Sequence, residues 1–229
     1  MSATSTDTAI LVFSRTARSE AAAKTFSARS GKTGNEAIAQ RLIAQTLATA
    51  RQTKLPVLLH YTTQTDHFAF GERLAGAVES AFAKGYTRLI VVGNDSPDLS
   101  AALLLEAAAQ LRRRPLVLGP AADGGVYLIG IQRQAFHWHS FVALPWNSAA
   151  LQNGWVEYPG ATAIWLPALP DLDFPDDVAR WLSHAPAWAP LVRHLRSILA
   201  GAMLPRWPDL AGLLSTGAGH KPRLRGPPC

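Results

Sequence analysis

Leu89-Ile90-Val91-Val92-Gly93-Asn94-Asp95-Ser96-Pro97-Asp98-Leu99 is the stretch whose reading decides the fold. Four consecutive apolar residues, two of them adjacent β-branched valines, have the run length of a strand buried on both faces. Gly93 and Ser96-Pro97 then end the run abruptly. A carboxylate, Asp95, is thereby delivered at a strand's carboxyl end, the edge where open α/β sheets bind ligands. No Lys or Arg lies beside it in the sequence, and an unpartnered acid at that place points to a divalent metal. The competing reading is turn chemistry, because Asp and Ser before Pro also build ordinary strand-to-helix turns, and Ser100 can cap a helix beginning at Ala101.

Outward from this stretch the pattern alternates. Ala9 to Phe13, Pro56 to His60 and Leu116 to Leu118 read as further short buried strands. Between them lie helical patterns: one capped by Asn35 with Ile38, Leu42, Ile43 and Leu47 on one face, one from Gly71 to Lys84 ended by Gly85, and one from Ala101 to Arg112. Alternation of this kind predicts an α/β domain with parallel strands and right-handed crossovers. Val126 to Ile131 predicts another strand, and Phe141 to Leu144 and Thr162 to Leu166 are weaker strand candidates. Helices are predicted near Ser148 to Gln152 and over Asp176 to His184 and Leu191 to Leu199. The domain spans residues 1–200, and the Pro/Gly-rich segment 201–229 reads as a flexible tail.

With 229 residues and 48% hydrophobic content, one large domain with a sizeable core is the expectation. No apolar run is long enough for a transmembrane segment and Met1 to Thr8 is small and polar, so a soluble, cytoplasmic protein is expected. The single cysteine, Cys229, excludes an intrachain disulfide and a cysteine-based metal site. Part of the net charge of +6 lies in the tail, where Arg206, Lys221, Arg223 and Arg225 face only Asp209. A second basic cluster, Arg15, Arg18, Lys24, Arg29 and Lys32 against Glu20, follows the first strand, where a phosphate would sit. Aromatic residues interleave with neither cluster, so no nucleic-acid partner is expected. An oligomeric state is not legible in the pattern.

Two more acidic groups reach the same sheet edge. Asp123, in Gly119-Pro120-Ala121-Ala122-Asp123-Gly124-Gly125, follows a short buried strand, as Asp95 does. Alone, Asp-Gly-Gly reads most simply as a hairpin turn; its coincidence with Asp95 raises it to a site candidate. Asp171-Leu172-Asp173-Phe174-Pro175-Asp176-Asp177 precedes a helix, whose first-turn acids complement the helix dipole and leave Asp173 as the freer carboxylate. His137 and His139, without a nearby third ligand, are set aside as a metal pair.

Gly71-Glu72-Arg73-Leu74, Gly93 to Leu99, Gly119 to Gly130 with its Asp-Gly-Gly-Val-Tyr-Leu-Ile-Gly core, and Leu144-Pro145-Trp146-Asn147-Ser148 resemble successive blocks of the DUF2064 family. The order and spacing match from about Ala9 to Leu182. That family is similar to nucleotide-diphospho-sugar transferases of the glycosyltransferase A (GT-A) type. The resemblance implies a three-layer α/β/α, Rossmann-like domain with a mainly parallel mixed sheet, and a glycosyltransferase that takes a nucleotide-sugar donor, Mg²⁺ or Mn²⁺, and an unknown small-molecule acceptor. In that reading Asp95, with Asp173, holds the metal; Arg15 and Lys24 assist on the phosphates. Asp123 faces the sugar or acceptor as hydroxyl ligand or general base, thinly walled by Gly124 and Gly125. Arg73 binds substrate, and Trp146 packs on a sugar face or, as the simpler alternative, is a core tryptophan.

The first loop departs from the family pattern. A Pro-x-x-Pro-Gly-x-x-Lys-Thr-Arg-Leu run is usual there, whereas this chain keeps Lys24-Thr25 and carries Phe26 at the arginine position. Weakened donor binding follows, and Phe26→Arg is expected to strengthen it. Phe174 likewise stands where a threonine usually caps the helix, and Asp98 is expected to act only on the stability of the helix after it. Same-fold nucleotidyltransferases, whose late Asp-x-x-Pro-x-Asp run resembles Asp173 to Asp177, are the first alternative. A non-catalytic nucleotide-sugar-binding protein is the second.

Overall fold

The computed structural model describes residues 7–62, 68–159 and 162–201. Strand β1 (Thr8–Arg15) is buried along nearly its whole length and lies between two parallel neighbours, β2 (Val57–Thr62) and β3 (Arg88–Val92), with Leu11 opposite Leu58 and Val91. β4 (Leu116–Pro120) and β5 (Val126–Gln132) form a hairpin, and β5 pairs antiparallel with both β3 and β4. The two-residue β6 (Ile164–Trp165) completes the mixed sheet, in the order β2-β1-β3-β5-β4-β6.

Period-two alternation sorts the strand side chains onto two buried faces. Leu11, Leu89, Val91 and Ile129 pack with α3 (Phe70–Ala83), and with Phe141 of α5 (Trp138–Val142) and Trp155 of α6 (Leu151–Val156). Ile10, Val12, Ile90 and Leu128 face the other layer, against Ile43 and Leu47 of α2 (Gly31–Gln52) and Leu104 of α4 (Ala101–Gln110). A third cluster joins α7 (Pro175–His184) and α8 (Pro190–Leu199) to α2 through Leu172, Val178, Leu182, Leu195 and Ile198. No described helix is long and apolar enough to cross a membrane.

The local signals behave as their chemistry requires. The Ser100 hydroxyl accepts the Leu103 N–H at 3.2 Å and starts α4. Gly85 has φ 99°, the left-handed stop after α3. Gly71 admits Trp146, whose indole would lie 2.5 Å from a Cβ at that position.

Other expectations need correction. Helix α1 (Ala17–Ala23) occupies what the sequence reads as loop, and α2 begins at Gly31, four residues ahead of Asn35. Asn35 is no cap: its side chain accepts the Ser27 N–H at 2.9 Å and donates to the Ser27 and Gly31 carbonyls, tying the loop to the helix start. The strand predicted over Phe141 to Leu144 is instead the end of α5 and the turn after it, since Phe141 is fully buried among Phe136, Trp146 and Trp155. The helix expected at Ser148 to Gln152 starts later, at Leu151. Phe26 is 1% exposed in the third apolar cluster, against Ile38, Leu42 and Leu172. An arginine there would enter the core rather than reach a phosphate. The predicted tail lies outside the described residues beyond Gly201.

Candidate functional site

Parallel β1 and β3 end on the same sheet edge, and antiparallel β5 begins there, so three loops converge. β1 ends at Arg15 and leads through Thr16 into α1, the loop after β3 carries Asn94 and Asp95, and the β4–β5 turn carries Asp123. A fourth segment, Asp171 to Asp173, is docked by two backbone bonds, Leu172 N–H to the Asp95 carbonyl at 2.9 Å and Ala122 N–H to the Leu169 carbonyl at 3.2 Å. Together they enclose a cavity of about 450 Å³, lined by the charged Lys24, Asp95, Asp123, Asp171 and Asp173 and by the apolar Phe13, Phe70, Leu74 and Trp146 among others.

Lys24 is the centre of the charged lining. It stands at the end of α1, where its Nζ lies 2.7 Å from Asp95 Oδ2, 2.6 Å from Asp173 Oδ1 and 3.1 Å from Glu20 Oε1. Glu20, 2% exposed, also meets Arg15 Nη1 at 3.3 Å. Burial works against the ammonium, but Asp95, Glu20 and Asp173 outweigh it and raise its pKa above the ordinary lysine range. Asp95, read from the sequence as an acid without a basic neighbour, therefore has one, contributed from 71 positions earlier in the chain. Its other oxygen, Oδ1, is buried without a hydrogen-bond partner among the described residues. Burial pushes its pKa up to about 6 even though Lys24 pulls the other way.

Asp171 is pushed to about 6 as well, first by burial and then by the charges of Asp123 and Asp173. One oxygen from each of Asp123, Asp171 and Asp173 lies within 4.8 Å of the others. An all-carboxylate set with an orphaned buried oxygen beside it fits a hard divalent cation such as Mg²⁺ or Mn²⁺.

The remaining predicted residues divide. Asp123-Gly124-Gly125 is indeed a hairpin turn: the Gly125 N–H donates to Asp123 Oδ1 at 2.7 Å, and Gly124 has φ 96°. Gly125 lines the cavity, whereas Gly124 backs onto Ala149, whose carbonyl would be 2.9 Å from a Cβ. Arg73 lines the cavity; it donates through Nη1 to the Phe68 carbonyl, while its buried Nε has no hydrogen-bond partner among the described residues. Trp146 also lines it, but its indole N–H is held by the Phe141 carbonyl at 2.8 Å and its ring packs on Phe70 and Trp155. Arg18, Arg29 and Lys32 do not line the cavity. Asp98, read only as a helix stabiliser, accepts the Trp181 indole N–H at 2.9 Å. Phe174 caps nothing; Asp177 accepts its N–H at 2.9 Å instead.

Sequence reasoning passed over Glu20, Asp171, Ser14 and Asn94. The i,i+4 spacing of Glu20 and Lys24 is the signal that would have found the first. Ser14 and Asn94 are joined by a 2.9 Å hydrogen bond between β1 and the loop after β3, and nothing local announces that pairing.

The same architecture is found in solved structures. A protein of Desulfovibrio desulfuricans G20, provisionally named a nucleotide-diphospho-sugar transferase, matches with TM-score 0.71 and 20% identity, over 85% of this chain and 96% of that one. Rv0371c of Mycobacterium tuberculosis H37Rv matches with TM-score 0.50 and 16% identity, over 79% of this chain and 100% of that one. At such identities the likeness is one of fold alone, a GT-A-like α/β architecture with a mixed six-stranded sheet. No curated protein matches. Residues 18–148 match the family model described as "uncharacterized protein conserved in bacteria (DUF2064)", and the chain belongs to that family.

Proposed function

We propose that this chain is a cytoplasmic transferase that takes a nucleoside-diphosphate sugar and passes its glycosyl group to a small-molecule acceptor with the help of Mg²⁺ or Mn²⁺. The observation that carries the reading is the convergence of four aspartates and one lysine on a single cavity at the strand ends. The name given to the Desulfovibrio protein of the same fold supports it.

Asp95 and Asp173, with Asp171 beside them, would hold the cation. When bound it offsets charge on the departing diphosphate. The chain's own groups do the rest. Lys24 and Arg15 supply positive charge on the side where the diphosphate lies. Asp123 keeps one oxygen on the Gly125 N–H and directs the other at an acceptor hydroxyl, as ligand or general base. The apolar lining residues Phe13, Phe70, Leu74 and Trp146 exclude water from the donor's flatter faces.

The test supplies Mn²⁺ with UDP- or GDP-sugars in one arm and nucleoside triphosphates in the other. Release of nucleoside diphosphate from the sugar donor is expected, and Asp95→Asn is expected to abolish metal-dependent donor binding in calorimetry while leaving the fold intact. Pyrophosphate release from a triphosphate would assign nucleotidyl transfer instead. Tight donor binding without turnover would assign a binding protein. Absence of nucleotide or nucleotide-sugar binding at millimolar concentration would sink the reading altogether.

A further inference from the structure

The Lys24 ammonium has three N–H groups and three carboxylates around it: Asp95 at 2.7 Å, Asp173 at 2.6 Å and Glu20 at 3.1 Å. Asp95 and Asp173, the pair read as cation ligands, therefore already share a cation that belongs to the chain. Both oxygens touch the same nitrogen, so an ion seated between them must stand where the ammonium stands. We propose that Lys24 is an exchangeable internal counter-ion: in the free protein it fills the Asp95–Asp173 cation position, and a divalent cation enters only as the ammonium withdraws onto Glu20. This rests on the reading above in one respect, that a divalent cation joins the site.

The surroundings suit an exchange rather than a fixed ion pair. Glu20 offers Lys24 a place to remain charged, since its carboxylate is buried and already faces both Lys24 and Arg15. A lysine stem is flexible and its ammonium compact, so a short swing between neighbouring carboxylates is open to it as it would not be to a planar guanidinium. The carboxylates outnumber the basic groups: Glu20, Asp95, Asp123, Asp171 and Asp173 line the cavity with Lys24, Arg15 and Arg73, and Arg73 is directed at the Phe68 carbonyl. A monovalent ammonium leaves negative charge uncompensated, which a divalent ion offsets further. A diphosphate arriving with the cation supplies Lys24 with a second anion, so metal and donor bind with positive coupling through one side chain. The free site is kept from binding metal strongly by itself.

The test uses Mn²⁺ alone, without nucleotide, followed by calorimetry and by the electron paramagnetic resonance of free Mn²⁺. Lys24→Met is expected to bind Mn²⁺ about tenfold or more tightly than the unaltered protein, a factor equal to about 1.4 kcal/mol. Arg15→Met removes a charge from Glu20 without touching Asp95 or Asp173 and is expected to change the affinity far less, which separates displacement from a general loss of positive charge. Lys24→Met without metal should also melt earlier and be rescued by Mn²⁺. Should that variant fail to fold, a crystal structure of the unaltered protein with Mn²⁺ decides: the ion between Asp95 and Asp173, with Lys24 on Glu20, supports the exchange. An ion on Asp123, Asp171 and Asp173 with Lys24 unmoved overturns it, as does equal Mn²⁺ affinity in the Lys24→Met variant. A protein that exchanges Lys24 for Mn²⁺ but binds no nucleotide would keep this inference and lose only the proposed donor.

Discussion

Two segments that line the cavity, the β4–β5 turn and the stretch after β1, are held in different ways. The β4–β5 turn is held by hydrogen bonds to its backbone: Asp123 accepts the Gly125 N–H two residues on, Gly124 donates to the Ala121 carbonyl, Ala121 donates to the Gly125 carbonyl, and from outside the turn Gln152 Nε2 donates to the Ala121 and Gly125 carbonyls while Ala122 donates to the Leu169 carbonyl. The segment after β1 is held by charge: Glu20 binds Arg15 and Lys24 locally, and two aspartates far along the chain complete the set. Lys24 is fixed by Asp95 and Asp173, and Phe26, two residues later, turns the other way into the cluster formed by α2, α7 and α8. The difference assigns different work to the two loops. A turn tied down by several hydrogen bonds to its backbone presents a carboxylate in a constant position, whereas a loop pinned by charges at one end and a buried ring at the other can exchange its charged contact while the ring keeps its place.

Breaking the buried anchor should give the largest effect. Phe26→Arg, which the family pattern alone would recommend, puts a guanidinium among Ile38, Leu42, Leu172 and Val178. It forfeits at least what deleting a buried phenylalanine does, about 3–5 kcal/mol. Urea denaturation should show that loss, with donor affinity no better than in the unaltered chain. Unchanged stability together with tighter donor binding would mean that the loop does not depend on this anchor.

The charged contact can be sharpened by pH. Asp171 is raised from 3.8 to about 6 by burial and by Asp123 and Asp173. Between about pH 4 and about pH 6 the unfolded chain has released this proton while the folded chain still holds it, so the group's contribution lowers stability as pH rises through that window and is constant above it. Melting temperatures followed across the window should fall less steeply in Asp171→Asn than in the unaltered protein. Mn²⁺ binding, which needs the carboxylates unprotonated, should tighten over the same range. A slope unaffected by the substitution would mean that Asp171 is ordinarily solvated.

The same contrast marks where the sequence was legible. Strand runs such as Leu89 to Val92, the Ser100 cap, the Gly85 stop and the Asp123 turn are written in adjacent residues, and each stands where the pattern puts it. The sheet edge and the acids on it follow from those signals. What escaped was set by partners far along the chain: the Lys24–Asp95 pair, the Ser14–Asn94 bond, the burial of Phe26 and the helical state of Phe141. Short apolar runs such as Phe141 to Leu144 do not distinguish strand from helix by period alone. Their state is decided by packing, here against Trp146 and Trp155. An alanine-rich stretch with one glutamate likewise reads as a basic loop until Glu20 is seen beneath Lys24 and Arg15.

The smallest effect is expected where the charged and apolar anchorings meet. α7 begins just after Asp173, and two links besides its apolar face tie it to the loop after β3: Leu172 N–H to the Asp95 carbonyl, and the Trp181 indole N–H to Asp98. The second lies at the surface. Removing it should therefore cost only what one exposed hydrogen bond to a carboxylate is worth, about 0.5–1.5 kcal/mol. Asp98→Ala and Trp181→Phe each break that bond, the second while keeping an aromatic ring. Their double-mutant cycle should give a coupling of about 0.5 kcal/mol or more. Mn²⁺ affinity should hardly move, because the Leu172 bond still sets Asp173 against Asp95. Additive losses would mean that Val178, Leu182 and the α8 contacts hold α7 by themselves. A large fall in Mn²⁺ affinity would mean that the helix, rather than the backbone bond at Leu172, positions Asp173.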